Sequence, residues 1–412
     1  MRRIFLGCLL GAAVTTQCLA AGNLLEPSCD PHGDLKTADW RGRCNAAIDA
    51  QTDDKKRAAL LFGRAYAAVE DYRYDDALRD LDAALVADPD NPRYLHERAY
   101  VNGELSNHAA AIADLDKQIA QQPNEPEGFS ERAYARHYAG DLAGAYSDRA
   151  RIVELDPESL DALAARAEAA VWIGKIAEAI ADAKAILVHP AAKDDEKLLA
   201  RAQQLLDAAN LMSAPGEPAR CKMRNMETKD ARRQITDCTH AFFAATSPHA
   251  KAEALTYRSV GWQLIPNEDR ATDDDAVAVG IEPGNDELLV NLGFHYLSSN
   301  HSWAAERMFS RAIAIKRSPM ALAGHARALW NLNQAEAAFT EARESFGVDG
   351  NEAATWLLAD MTFDRGDRTV AKQLYLSIYR RGSRDDGLVA RLKELGVSDP
   401  GKAIAIGDKT KQ

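Results

Sequence analysis

Aromatic residues make up only 7% of this 412-residue chain, while alanine recurs throughout, a balance that favours closely packed helices over sheets. Positive charge is also in short supply: 50 Lys and Arg against 62 Asp and Glu leave a net charge of -12. Phosphate contacts need clustered cations, so the charge argues against a general nucleic-acid binder, and a neutral to basic partner is expected. No segment reaches the roughly twenty apolar residues of a membrane span, so no integral membrane segment is expected once the amino-terminal stretch is removed. HExxH, GxSxG, a phosphate-cradling glycine loop and CxxC are all missing, which argues against an enzyme, a cofactor or a bound metal. The acidic run EDRATDDDA from Glu268 lacks the spacing and the glycine of a calcium loop.

What is present begins with MRRIFLGCLLGAAVTTQCLAAG: two arginines, an apolar run from Ile4 to Val14, and small residues around Ala20. This is the order of a secretory signal peptide over residues 1–20, cleaved to give a periplasmic or secreted protein. Gln17 before Cys18 argues against a lipoprotein signal. Cleavage leaves Cys29, Cys44, Cys221 and Cys238, enough for two disulfides in an oxidising compartment. Arg64 follows Cys44 at the same distance as Arg258 follows Cys238, and CNAAIDA and CTHAFFA open the two intervals. A duplicated module is expected, with Cys29 paired to Cys44 and Cys221 to Cys238, each bridge contributing roughly 3 kcal/mol through loop entropy.

ERAY at 97–100 returns at 131–134, within a longer series: GRAY at 63, ERAY at 97, ERAY at 131 and ARAE at 165. Pro89, Pro123 and Pro157 keep the same 34-residue step, and so do Ala77, Ala111, Ala145 and Ala179. Each period holds two apolar-periodic helical stretches, broken near Gly140 or Gly174 and ended by proline, which helix interiors exclude. A repeated helical hairpin follows.

On these residues the chain resembles the tetratricopeptide repeat (TPR) family, whose 34-residue unit carries a large apolar residue at its fourth position, small ones at the eighth and twentieth, and proline at the thirty-second. Those places hold Leu61, Ala65, Ala77 and Pro89; Leu95, Ala99, Ala111 and Pro123; Phe129, Ala133, Ala145 and Pro157; and, more loosely, Leu163, Ala167, Ala179 and Pro190. Leu255, Ser259, Ala271 and Pro283 restart the series, NLGFHYLSSNHSWAAERMFSRAIAI from Asn291 follows, and looser units surround Phe339 and Tyr375. The resemblance implies an all-α fold, an α-solenoid of helix-turn-helix hairpins in two arrays. It implies protein binding on a concave surface, a non-catalytic scaffold of the cell envelope. The alternatives are a structural subunit of an envelope assembly or, less favoured, an exported enzyme with an unrecognised site. The expected organisation after the signal is a cysteine-pair segment at 21–56 and a first array with closing helix at 57–211. A linker with the second cysteine pair follows at 212–250, then a second array with cap at 251–395 and a polar tail at 396–412.

Two constellations stand out. Arg64, Arg98, Arg132, Arg166 and Arg258 are each followed sixteen residues later by Asp80, Asp114, Asp148, Asp182 and Asp274, which places each pair at equal height on facing helices of a hairpin and predicts a structural ladder. Tyr66, Tyr100 and Tyr134 share the ninth position of successive repeats, on the helix that lines the concave face in the TPR family. Phe62, His96, His137, Tyr138 and Trp172 complete a candidate peptide groove, rimmed by Glu97, Glu104, Glu127, Glu131, Asp161 and Glu168. Phe62, Tyr66, Glu127 and Glu131 stand where members that hold carboxyl-terminal chaperone tails need cations or asparagine, so that activity is not implied.

Overall fold

A computed structural model of the chain describes residues 40–222, 230–265, 268–349 and 352–401. Among the described residues the fold is all-α, with twenty α-helices and no strand, arranged as two compact units divided after Glu282. The signal segment 1–20, Cys29 and residues 402–412 of the expected tail lie outside the described residues.

The first unit contains α1 (Trp40–Ala50), α2 (Asp54–Glu70), α3 (Tyr74–Ala87), α4 (Pro92–Glu104), α5 (His108–Gln121), α6 (Pro126–Tyr138), α7 (Leu142–Leu155), α8 (Leu160–Trp172), α9 (Ile176–Val188), α10 (Glu196–Ser213), α11 (Ala231–Ala244), α12 (Pro248–Leu264) and α13 (Glu268–Ile281). The second contains α14 (Asp286–Ser298), α15 (Ser302–Ile315), α16 (Pro319–Asn331), α17 (Ala335–Asp349), α18 (Glu352–Asp364), α19 (Arg368–Arg380) and α20 (Asp386–Glu394).

Local signals set the helix ends. Asn91, Ser247 and Ser318 accept backbone N–H groups at the starts of α4, α12 and α16, each followed by a proline whose missing donor costs nothing there. The hairpin turns repeat as faithfully as the helices. Residues 72, 106, 140 and 174 all take a left-handed φ, between 56° and 80°. Gly140 and Gly174 meet that demand freely, whereas Tyr72 and Ser106 adopt it with a side chain in place.

Packing follows the small-residue positions. Ala65, Ala99, Ala133 and Ala167 are buried, as are Ala77, Ala111, Ala145 and Ala179, so neighbouring helices approach closely at every repeat. Leu61, Leu95 and Phe129 fill the space beside them, each contributing roughly 1.5–3 kcal/mol on burial.

The first unit has no break at residue 212. A single core runs from Ala164 and Val171 of α8 through Leu205 and Met212 of α10 to Ile235, Trp262 and Ala271 of α11, α12 and α13. The Pro- and Gly-rich stretch after α10 is tied to α11: Asp237 accepts the Glu217 backbone N–H at 2.6 Å, and His240 Nε2 donates to the Ala214 carbonyl at 3.0 Å. Hairpin α12–α13 therefore belongs with the first unit, and the second begins at α14. At the other end, Val397 of the expected polar tail is buried in the core around Tyr375, Leu388 and Leu392.

The first unit also folds back on itself, α13 packing against α6. A Cβ on Gly280 would stand 2.3 Å from the Tyr138 carbonyl oxygen, so only glycine allows the two backbones to approach this closely. His137 Nε2 lies 3.0 Å from Asp273 Oδ1 across the same contact.

Candidate functional site

Every ladder arginine meets its aspartate through two hydrogen bonds. Arg64, Arg98, Arg132, Arg166 and Arg258 each donate Nε–H and a terminal N–H to Asp80, Asp114, Asp148, Asp182 and Asp274, at 2.6–3.0 Å. The side-by-side geometry is the strong form of the Arg–carboxylate pair. A third donor links repeats: Arg98 reaches Asp82 at 2.8 Å and Arg132 reaches Asp116 at 2.7 Å. The signal for this inter-repeat bond was the second aspartate of RDLDAAL and ADLDKQI, two residues beyond each ladder aspartate.

The same donor marks the duplicated module. Arg64 bonds Asn45 Oδ1 at 2.8 Å and Arg258 bonds Thr239 Oγ1 at 3.3 Å, so the residue after Cys44 and the residue after Cys238 perform one task in two copies. Cys221 and Cys238 form a disulfide with Cα atoms 4.7 Å apart. Cys44 is fully buried on α1.

The candidate groove divides. Phe62 is buried, its ring 5.1 Å from that of Tyr94 with the Arg93 guanidinium 5.0 Å above it, and so packs one repeat onto the next. Trp172 is buried too, beneath the Arg258 guanidinium at 4.9 Å and beside His137 and Phe242. His137 is bonded to Asp273, whose carboxyl is held below its usual range: burial pushes it up, but His137, Arg270 and Tyr138 together outweigh that. The far end of the expected groove is thus filled by α11, α12 and α13 of the same unit. A sequence period cannot register such a contact, since the partners belong to different repeats.

Tyr66, Tyr100 and Tyr134 remain partly exposed in register on α2, α4 and α6. Tyr134 packs edge-on against Tyr138 at 4.6 Å. Of the acidic rim, Glu168 is neutralised by two bonds from Arg201 of α10, at 2.9 and 3.0 Å, and Asp161 lies 3.6 Å from the same guanidinium. Beside the tyrosines the carboxylates are less well balanced. Glu131 lies 3.3 Å from His96 Nδ1, and burial pushes its carboxyl up to about 7. Burial also raises Glu104, against a hydrogen bond from Tyr74 that lowers it.

In the second unit, one cluster has the outline of a nucleophile relay that the sequence reading did not single out. Ser310 Oγ lies 3.0 Å from His325 Nε2, and His325 Nδ1 bonds Glu341. A second carboxylate changes its chemistry, because Glu306 stands 3.2 Å from the same Nε2 and also accepts from Ser310. Burial pulls the imidazole down, yet the bonds to Glu306 and Glu341 outweigh it and push His325 up to about 9. An imidazolium offers no lone pair to take a serine proton, so the cluster ties α15, α16 and α17 together as an ion triple.

A raised histidine stabilises the fold fully below its unfolded value of about 6.5, and the contribution is lost as pH rises through about 9. At about 1.36 kcal/mol per unit, the second unit is expected to lose up to about 3 kcal/mol over that interval. NMR titration of the His325 ring should give a midpoint near 9, and His325→Gln should flatten the pH dependence of unfolding there. A midpoint near 6.5 would contradict the ion triple.

No protein-family model matches the chain, and no curated protein does. Among solved structures it is similar to a tetratricopeptide repeat protein from Parabacteroides merdae, at 12% identity over 74% of this chain and 98% of that one, with a TM-score of 0.31. It is also similar to yeast Tom70, at 13% identity over 95% and 99% of the two chains, with a TM-score of 0.31. A third, the Cut9–Hcn1 hetero-tetramer of the APC/C, has 11% identity over 87% of this chain and 59% of that one, with a TM-score of 0.32. Likeness at this level carries no argument about function. Its own 34-residue period, folded into antiparallel helical hairpins, makes this an all-α helical-repeat fold.

Proposed function

We propose that the chain is a non-catalytic scaffold, exported to the periplasm or secreted, that binds a neutral to basic peptide or protein segment along α2, α4 and α6. The observation that carries this reading is the tyrosine row. Tyr66, Tyr100 and Tyr134 keep partial exposure at identical places in successive repeats, while the ladder arginines are engaged in holding the repeats together. A chain laid across the row meets the same amphipathic contact at each step, and aromatic residues of this kind dominate binding energies at interfaces. Fold-back of α11, α12 and α13 shortens the surface to this amino-terminal stretch. Export is supported by the order of the first twenty residues and by the Cys221–Cys238 bond, which oxidising compartments maintain.

A photo-crosslinking residue placed at Tyr100 in intact cells should capture a discrete partner. The same residue at Val86, which is 83% exposed on α3, should not. Equal capture from both positions would move the binding surface off the row.

A further inference from the structure

Leu81, Leu115 and Ala183 hold the same place in the second helix of their hairpins, and all three are buried in the core. In the third hairpin that place falls to Arg149 of α7. Its guanidinium does not stay in the core: Nη1 donates to Ser130 Oγ at 2.8 Å. Ser130, Tyr134 and Tyr138 follow one another at four-residue steps on α6, so they form one stripe of that helix. The head of Arg149 thus reaches the face that carries the tyrosine row, at the row's carboxyl-terminal end. The acidic groups nearby are already engaged. Asp148 accepts from Arg132 and Arg136, and Glu168, which follows Tyr66, Tyr100 and Tyr134 in the ninth-place series, accepts twice from Arg201. Among the described residues no carboxylate comes within ion-pair distance of Arg149. Its Nε and Nη2 make no hydrogen bond there, and neither is sealed from solvent. Burial pulls the guanidinium below its usual value; the field of Glu168 opposes that pull and the field of Arg201 adds to it. A desolvated cation with open donors gains from an arriving anion.

We propose that Arg149 receives a carboxylate of the bound segment through its open Nε–H and Nη2–H, and so anchors that segment beside Ser130 and Tyr138. The inference rests on the proposed groove and adds one acidic anchor to it, which a segment neutral or basic overall can carry. The chemistry of the open edge selects the ligand. Each ladder arginine holds its aspartate by Nε and Nη2, and Arg149 leaves the same edge free. Two parallel N–H groups match the two oxygens of a carboxylate, whereas a neutral amide offers one oxygen and no charge. The register supports a binding role over a packing one, because the other hairpins fill this place with a leucine or an alanine. Replacing a half-buried, unpaired cation by the leucine of the neighbouring repeats should leave the fold intact.

The test titrates the full chain with sodium propionate at constant ionic strength and follows the Nε–H resonance of Arg149, identified as the one lost in Arg149→Lys. A saturable shift is expected with propionate and none with propionamide at equal concentration. Equal shifts from both, or no saturable shift from propionate, would overturn the anchor. Random heptapeptides selected on the native chain give the second measurement. They should bind folded Arg149→Leu at least tenfold more weakly, and undiminished binding would overturn the anchor as well. If Arg149→Leu loses helical content, the contrast between propionate and propionamide in the native chain decides. Loss of affinity on changing a peptide's Glu or Asp to its amide assigns the carboxylate to a side chain, and loss on amidating the peptide's end assigns it to the terminus. Heptapeptides that need Tyr66, Tyr100 and Tyr134 but bind equally well without any carboxylate would leave the groove standing and remove the anchor. A propionate shift at Arg149 with no heptapeptide dependent on the tyrosines would do the reverse.

Discussion

Replacing Arg258 by methionine is expected to destabilise the first unit by about 3–5 kcal/mol, the cost of leaving a buried carboxylate without its partner. Both side chains of the Arg258–Asp274 pair are 2% exposed, and the guanidinium is shared more widely than any other in the ladder. It donates twice to Asp274 of α13 and once to Thr239 of α11, and it lies over Trp172 of α8 and Phe242 of α11. Changing Arg258 to methionine and Asp274 to leucine together should recover much of the loss, because no orphaned charge remains. Arg64 provides the contrast. Its side chain is 32% exposed and that of Asp80 12%, so water reaches the orphaned carboxylate more readily and Arg64→Met should cost less, about 1–3 kcal/mol. Denaturant unfolding of the disulfide-intact protein, followed by fluorescence and circular dichroism, gives all three values. A stable Arg258→Met protein that no longer binds its partner would make the pair part of a binding site.

The ladder shows how far the sequence could be read. A period of 34 residues fixes which residues of one hairpin face each other, so Arg132 and Asp148 are paired by arithmetic alone. The same arithmetic places Ala99 and Ala111 in the core and puts the hairpin turns at Gly140 and Gly174. The second bond of each arginine, from Arg98 to Asp82 for example, was also written in the sequence, but at the spacing of neighbouring repeats.

What the period could not show is contact between distant repeats. His137 and Asp273 are 136 positions apart, and nothing in either repeat marks them as partners. Gly280, next to the last residue of α13, held the clue, since a helical glycine can mark close approach of another backbone, but it does not say of which one. The burial of Trp172 follows from the same fold-back, because the aromatic residue that would have floored a groove floors α11 and α12 instead. Phe62 was misplaced for a different reason. It stands one helical turn before Tyr66, yet its ring is turned toward Tyr94 of the next repeat, and a stripe at helical spacing does not distinguish those two directions. Likewise, the Pro- and Gly-rich stretch at 214–218 looked like a boundary because such residues punctuate chains, whereas here they lay the backbone along α11.

Changing Tyr66, Tyr100 and Tyr134 together to alanine tests the central claim most directly. The three rings are partly exposed in register on α2, α4 and α6, and contacts of this kind each carry about 2 kcal/mol or more at well-packed interfaces, without adding strictly. Binding of peptides selected on the native chain should therefore fall by about a hundredfold or more, with the helical circular dichroism signal unchanged. The corresponding change to phenylalanine, which keeps the packing area, separates lost contact from lost fold. A triple alanine protein that unfolds while the triple phenylalanine protein stays folded would assign the row to packing between repeats. One that folds and binds with native affinity would contradict the account, and the binding surface would have to lie elsewhere on the molecule.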